Sequence, residues 1–236
     1  MIGQGRSPSQ SSGRPPYDPR PAHPFTQQSD APLSSARPGA ERLLEGLHAH
    51  DPVTMARLRE RLVDQAQREG ILDVAYRTLD TPVGRLLLAA TEQGLIRVAY
   101  AVQDHDAALR QLADLVSPRV MEAPGRLDEV ARQIEEYFAG RRTRFDLPLD
   151  WRLSKGFRRQ VLTHLPDIGY GRTESYAQVA AAGSPRAVRA VGTACATNPL
   201  PVVVPCHRVL RSDGSLGGYA GGTDAKHALL TLEATT

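Results

Sequence analysis

The sequence predicts an α+β fold: a small β-meander with two helices, followed by a mostly helical second half. Three observations carry this. Between Leu72 and Tyr100, β-rich runs alternate with turn residues; from Asp106 to Phe138, apolar side chains recur at helical spacing; after Leu149, strand patterning gives way to helices and glycine-rich loops. The chain has 236 residues, 41% of them hydrophobic, enough for one ordinary domain or two small ones with cores of their own.

Taken in order, residues 1–40 hold eight of the eighteen prolines among Ser, Gln, Gly and Arg, and are expected to be a disordered tail because they bury too little to offset the entropy of ordering. Residues 41–70 form a helical extension, one short helix and one longer amphipathic helix, with Asp51-Pro52 as a break and Gly70 as a stop. Residues 71–149 form the α+β unit. Its strands are expected over Leu72–Tyr76, Arg85–Thr91 and Leu95–Tyr100, separated by Thr81-Pro82-Val83-Gly84 and Glu92-Gln93-Gly94, which gives an antiparallel meander. Helices follow at Asp106–Val116 and Leu127–Phe138, the second closed by Gly140. In residues 150–236, Ser154 is placed to cap a helix reaching Leu165, and a short helix spans Ser175–Ala182. A turn at Gly183-Ser184-Pro185 then starts a further helix to Ala196, with Ser184 as cap and Pro185 in the first turn.

Two cysteines, Cys195 and Cys206, are too few for a disulfide scaffold or a four-thiolate zinc site, and they fit a reducing, cytoplasmic setting. No apolar run approaches the roughly 18–20 residues of a membrane span, so no membrane partner is expected. The formal charge of +3 is small, but its distribution is uneven. No acidic residue occurs between Ser175 and Ser212, where Arg186, Arg189, Arg208 and Arg211 stand, whereas Asp104–Glu136 is net acidic. A basic half beside an acidic middle is the pattern of a polyanion-facing surface, or of a chain that solvates its faces with arginine.

Two motifs carry chemistry. Cys206 ends an apolar run, Val202-Val203-Val204, that reads as a short strand; His207 follows it, and no second cysteine lies close. That is the setting of a nucleophile more than of a disulfide or metal ligand. Upstream, helix, tight turn and helix form a helix-turn-helix pattern whose second helix carries Arg186 and Arg189 among Ala187, Ala190, Gly192, Thr193 and Ala194. Small side chains permit close approach, to a nucleic-acid groove or to a neighbouring helix.

Six ordered motifs over Ser154–Glu233 resemble one family. They are Gly169-Tyr170-Gly171 leading to Ser175-Tyr176, Arg189-Ala190-Val191-Gly192, Asn198-Pro199, Val204-Pro205-Cys206-His207-Arg208-Val209, Gly218-Tyr219-Ala220-Gly221-Gly222, and Lys226 to Glu233. Together they resemble the DNA-binding and active-site domain of the O6-alkylguanine-DNA alkyltransferases, the methylated-DNA–protein-cysteine methyltransferases. The meander from Leu72 to Asp146 resembles that family's N-terminal domain by pattern. The resemblance implies a ribonuclease-H-like N-terminal domain followed by a winged-helix-like, mostly helical one. It also implies direct, irreversible, single-turnover transfer of an alkyl group from O6-alkylguanine, with O4-alkylthymine as a further substrate, in double-stranded DNA to Cys206. Base flipping would precede transfer, and the protein would act as a monomer without metal or organic cofactor.

What the resemblance assigns can be stated residue by residue. Cys206 is the acceptor, His207 the base acting through a water, and Glu233 the group orienting the far ring nitrogen. Asn198 braces the active-site turn, and Tyr176 presses on the backbone beside the flipped nucleotide. Arg189 takes the place of the extruded base, with Arg186, Ala187 and Ala190 on the same DNA-binding helix. Pro201, Val209, Tyr219, Ala220 and Gly221 form the substrate pocket. Gly221 is small where other members carry a bulky residue, which leads to the expectation that groups up to benzyl are admitted. Cys195 is expected to be a packing residue. A cysteine hydrolase and a non-catalytic alkylation-damage sensor are the alternatives to be distinguished.

Overall fold

The computed structural model describes residues 52–181 and 187–235. The tail 1–40, the short helix expected before Asp51, and the turn residues Ser184, Pro185 and Arg186 lie outside the described residues. The longer expected helix is α1, Pro52–Arg68. Its Leu58 and Leu62 are exposed, and it meets the rest of the fold through Ala66 and Val63.

The meander forms as β1 (Val74–Thr81), β2 (Gly84–Thr91) and β3 (Gly94–Tyr100), each antiparallel to the next. β1 runs past the expected Tyr76 because its pairing with β2 continues to Thr81↔Gly84, where the hairpin turns. A fourth strand, β4 (Val120–Glu122), joins the far side of β1 in parallel and gives the order β3-β2-β1-β4. Three residues are too short to show a period, so sequence pattern misses it. In β3 a bulge leaves Ile96 between two pairs: Ala89 faces Arg97 and Ala90 faces Leu95.

α2 (His105–Leu115) begins where the Asp104 carboxylate accepts from the Asp106 and Ala107 amides, and its Leu112 packs with Val74, Ala89 and Ile96 on one face of the sheet. The other face contributes Leu86, Leu88, Val98 and Tyr100 to a core continuous with α3 (Asp128–Phe138) and with Leu162, Val191 and Val203 of the second half. α3 buries Val130, Ile134 and Tyr137, positions i, i+4 and i+7 of one stripe. Gly140 follows it at φ +69, donating to the Tyr137 carbonyl, as its expected terminating role requires.

The chain then crosses the end of β3, with the Leu95 amide donating to Pro148 O at 2.8 Å and the Asp150 amide to Leu95 O at 2.9 Å. Ser154 is not the cap of the next helix. It is buried, its hydroxyl has no partner among the described residues, and α4 (Gly156–His164) starts only after Lys155. The reason is local: a turn closed by the Ser154 amide and Trp151 O holds Ser154 inside, and Gly156 opens the helix at φ +55. Ser175, to which the sequence pattern assigned no capping role, holds the start of the next helix. Its hydroxyl accepts from the Gln178 amide while the Gln178 side chain accepts from the Ser175 amide, a reciprocal capping box at the start of α5 (Tyr176–Ala181). α6 (Val188–Ala196) buries Val191, Ala194 and Cys195 and packs against α4 and α5.

Val202–Val204 is a turn rather than the expected strand. Pro199, Pro201 and Pro205 offer no amide for a ladder, Val202 sits at φ +72, and the Val204 amide folds back onto Leu200 O at 2.8 Å. The cysteine therefore lies in a single 3₁₀ turn, Cys206–Arg208, leading to β6 (Val209–Leu210). β6 pairs in parallel with β5 (Glu174–Ser175), which brings the start of α5 beside the strand leaving Cys206. α7 (Gly222–Thr235) closes the fold and delivers Glu233.

Candidate active site

Cys206 is 2% exposed and sits in an unbroken buried run from Pro201 to Val209. Asn198 holds it: the carboxamide nitrogen donates to Cys206 Sγ at 3.2 Å and to Val204 O at 2.9 Å, and the carboxamide oxygen accepts from the Leu200 amide at 2.9 Å. Burial pushes the thiol up to about 11, against the pull of the Asn198 hydrogen bond and the nearby Lys226 ammonium. Lys226 is itself fully buried and donates to Val209 O at 2.7 Å, so the backbone carbonyl of this expected pocket residue already has a partner.

His207 is completely buried, and its Nε2 lies 2.9 Å from Glu233 Oε1. Burial drives the imidazole below its ordinary value, more than the hydrogen bond and charge of Glu233 raise it, so it is neutral. Burial would also raise Glu233, but hydrogen bonds from His207, Arg208 and Tyr137 outweigh it and hold the carboxyl down at about 2. An ionised Glu233 facing a neutral ring puts the ring proton on Nε2. Nδ1 is then a lone-pair acceptor, buried and without a partner among the described residues. No hydrogen bond joins His207 to Cys206 directly.

Glu233 gathers more partners than the sequence motifs indicate. Arg208 donates through Nε at 2.9 Å to Oε2 and through Nη2 at 2.9 Å to Oε1, the Tyr137 hydroxyl donates at 2.7 Å, and the Gly171 amide donates at 3.2 Å. Arg208 and Tyr137 are the functional residues that pattern reading missed. Arg208 was legible only as a motif letter, and Tyr137 lies 96 positions from its partner.

The pocket side is built by the glycine-rich loop. Tyr176 packs against Gly217, where a side chain would collide with its ring. The Tyr219 hydroxyl lies 3.1 Å from the Tyr100 hydroxyl, with the two rings edge to face. A Cβ at Gly221 would stand 2.6 Å from the Tyr100 ring. The room that a small residue leaves at 221 is thus occupied by Tyr100 from β3, which bears against the expectation of a pocket widened at that point. Gly221→Ala should cost about 1–3 kcal/mol through this clash, read as a lowered midpoint in urea. In the Tyr100→Ala background, which is itself destabilised by loss of a core side chain, adding Gly221→Ala should cost little more; additive losses of the two single variants would count against the packing.

On the helix-turn-helix, Arg189 and Ala190 are exposed and Ala187 is half-buried, while Val191, Ala194 and Cys195 face inward. The small residues are therefore divided between two faces of one helix, Ala194 packed inward and Ala190 exposed. Cys195 is 2% exposed in the core, its thiol pushed up to about 12 by burial. Pro201 and Val209 are buried beside the cysteine turn, and Ala220 and Gly221 are half-buried. Arg186 lies outside the described residues.

The comparisons with known proteins fall on the same segments. The family described as 6-O-methylguanine DNA methyltransferase, ribonuclease-like domain, matches residues 74–151, and that described as 6-O-methylguanine DNA methyltransferase, DNA binding domain, matches residues 156–235. The chain is 42% identical over 162 residues to the constitutive methylated-DNA–protein-cysteine methyltransferase of Bacillus subtilis, covering 67% of this chain and 94% of that protein. It is 40% identical over 161 residues to the methylated-DNA–protein-cysteine methyltransferase of Mycolicibacterium paratuberculosis, covering 68% and 92%. Among solved structures, the Mycobacterium tuberculosis O6-methylguanine methyltransferase superposes with a TM-score of 0.61 at 39% identity, over 69% of this chain and 93% of that one. The same organism's protein in complex with DNA gives 0.60 at 38%, over 68% and 93%. Two family domains in the order of the fold, relatives matched over nearly their whole length, and a buried Asn–Cys and Glu–His pairing place this chain in the methylated-DNA–protein-cysteine methyltransferase family.

Proposed function

We propose that the protein repairs alkylated DNA by moving the alkyl group from O6 of a flipped guanine in duplex DNA onto Cys206, once per molecule. The observation that carries this is the state of His207. Glu233 fixes its proton on Nε2, and Nδ1 is left as the buried acceptor. In the reaction the sulfur attacks the alkyl carbon in line. The S–C bond forms as the C–O6 bond breaks, the bonding pair stays on guanine O6, and the thiol proton passes through a water to Nδ1. The departing guanine anion takes up a proton from solvent while the His207 imidazolium gives back the one it accepted, so thiol and O6-alkylguanine become thioether and guanine; the thioether has no return path, which makes the transfer stoichiometric.

The remaining groups divide the other tasks. Asn198 fixes the sulfur, and Tyr176 sits at the start of α5, beside β6. The exposed Arg189 and Ala190 give α6 a cationic, low-profile outer face that suits entry into a groove, where Arg189 would fill the space of the extruded base. The Ala220 amide donates to no group among the described residues, so it is open to the alkylated oxygen. The pocket, base and acceptor functions belong to residues 150–236, with Tyr137 and Tyr100 supplied by the α+β unit 71–149. We take the monomer as the acting form. Two buried, unpaired cysteines suit a reducing compartment, the cytoplasm, and no described helix is long and apolar enough to cross a membrane.

The test is intact-protein and peptide mass spectrometry after mixing equimolar protein and a duplex bearing one O6-methylguanine. We expect a single methyl on the peptide containing Cys206 and none in Cys206→Ala. An unmodified protein that still binds the lesion would leave a sensor, and repeated turnover on an ester would leave a hydrolase.

A further inference from the structure

Beside the C-terminal end of α6 lies a cavity of about 640 Å³ that shares only Asn198, on one wall, with the chemistry above. Arg97, Arg152, Lys155 and Arg158 line it, together with Gln103 and Thr197, and no acidic residue does. Arg152 is paired with Asp150 at 2.6 Å, but Arg97, Lys155 and Arg158 have no ion pair among the described residues. An adjoining hollow that shares Arg97 adds Arg110, which faces Asp104 at 3.7 Å, and Asp114.

Arg97 is the informative member. It is the one charged residue of β3, and the bulge at Ile96 turns both Ile96 and Arg97 toward the α2 side of the sheet. Its Nε is buried with no partner, and burial without any opposing charge lowers its affinity for its proton. An unpaired, partly buried cation costs stability. Three unpaired cations around one concavity are electrostatically unfinished, and what completes them is an anion with several acceptor oxygens.

The place of the cavity indicates which anion. Thr197 lies eight residues beyond Arg189, about 12 Å along the helix axis at 1.5 Å per residue. A duplex seated on the outer face of α6 carries about one phosphate charge per 1.7 Å of its axis. We infer that this cavity is a second DNA contact, which takes a backbone phosphate of the same duplex and extends the footprint from the helix-turn-helix onto the α+β unit through Arg97. This rests on the reading of α6 as the duplex-facing helix.

The experiment uses the full chain and an undamaged, fluorescently labelled duplex of about 20 base pairs, with anisotropy recorded between about 50 and 250 mM KCl. Arg97→Ala and Lys155→Ala should each make the slope of log K against log salt shallower by about one, while Arg97→Lys should keep the wild-type slope. Affinity at low salt should fall several-fold in each alanine variant. Because the unpaired cation is a burden in the free protein, the Arg97→Ala melting temperature should be equal to or above wild type. An unchanged slope overturns the inference. A lowered melting temperature with an unchanged slope would make Arg97 a packing residue. Titration with inorganic phosphate separates the sources: phosphate bound by wild type and not by Arg97→Ala, with no change in the DNA slope, would assign the cavity to a free anion and also overturn it. The reading of α6 fails separately, if Arg189→Ala leaves both duplex binding and alkyl transfer untouched.

Discussion

Replacing His207 with alanine is expected to slow alkyl transfer to Cys206 by about 10³-fold at neutral pH, within the range of a lost general base, and to change the shape of the pH profile. With the thiol pushed up to about 11, only about one molecule in 10⁴ carries a thiolate at pH 7. A reaction that waits for that thiolate should speed up about tenfold per pH unit toward 11. In the mechanism proposed above the wild-type protein need not wait, because His207, held neutral by burial, would accept the proton as the sulfur attacks. Single-turnover rates from pH 7 to 9 should therefore be nearly flat for wild type and steep for His207→Ala. Parallel profiles would remove the imidazole from proton transfer and leave it a structural part of the turn.

Glu233→Ala should produce the largest loss of stability, about 3–5 kcal/mol, because it leaves a buried guanidinium without its counter-charge. The Arg208 fork, the His207 Nε2 proton, the Tyr137 hydroxyl and the Gly171 amide all lose their acceptor. The sign of the pH dependence follows from two depressed values. Glu233 titrates at about 2 in the fold against roughly 4.3 in an unfolded chain, so its stabilisation is complete above that higher value and drains away as pH falls toward 2. His207 is also held below its unfolded value of about 6.5, so the unfolded chain takes up a proton first and stability begins to fall as pH drops below that point. Urea melts at pH 7.5, 5.5 and 3.5 should show both declines in wild type. Glu233→Gln should show a shallower lower decline, the remainder belonging to carboxyls such as Asp150, where burial is outweighed by hydrogen bonds that hold the group down. A wild-type midpoint independent of pH over this range would contradict the network.

How much of this was legible follows the reach of each interaction. The meander, the Gly140 terminus, the short helix from Ser175 and the cysteine motif are set by residues within a few positions of one another, and pattern reading finds them. The short strand β4 and the Tyr137–Glu233 bond depend on pairing across 46 and 96 positions respectively, for which a single sequence has no period or signature. Ser154 misled because a capping residue and a buried serine look alike until the turn before Gly156 is known. The valine run misled because β-branched residues favour strands wherever their amides can pair, and here the neighbouring prolines and Asn198 had taken the backbone into a turn.

That proline-bounded turn has a consequence for the unfolded chain as well. Three successive valines in an otherwise uncharged stretch from Thr197 to Cys206 would be a hazard in a nascent or heat-denatured protein, since such segments add readily to the edges of other strands. Pro199, Pro201 and Pro205 interrupt that template whether or not the domain is folded, because a missing amide proton does not depend on tertiary structure. The segment that presents the reactive sulfur is thereby guarded against intermolecular β-pairing during synthesis and after thermal unfolding.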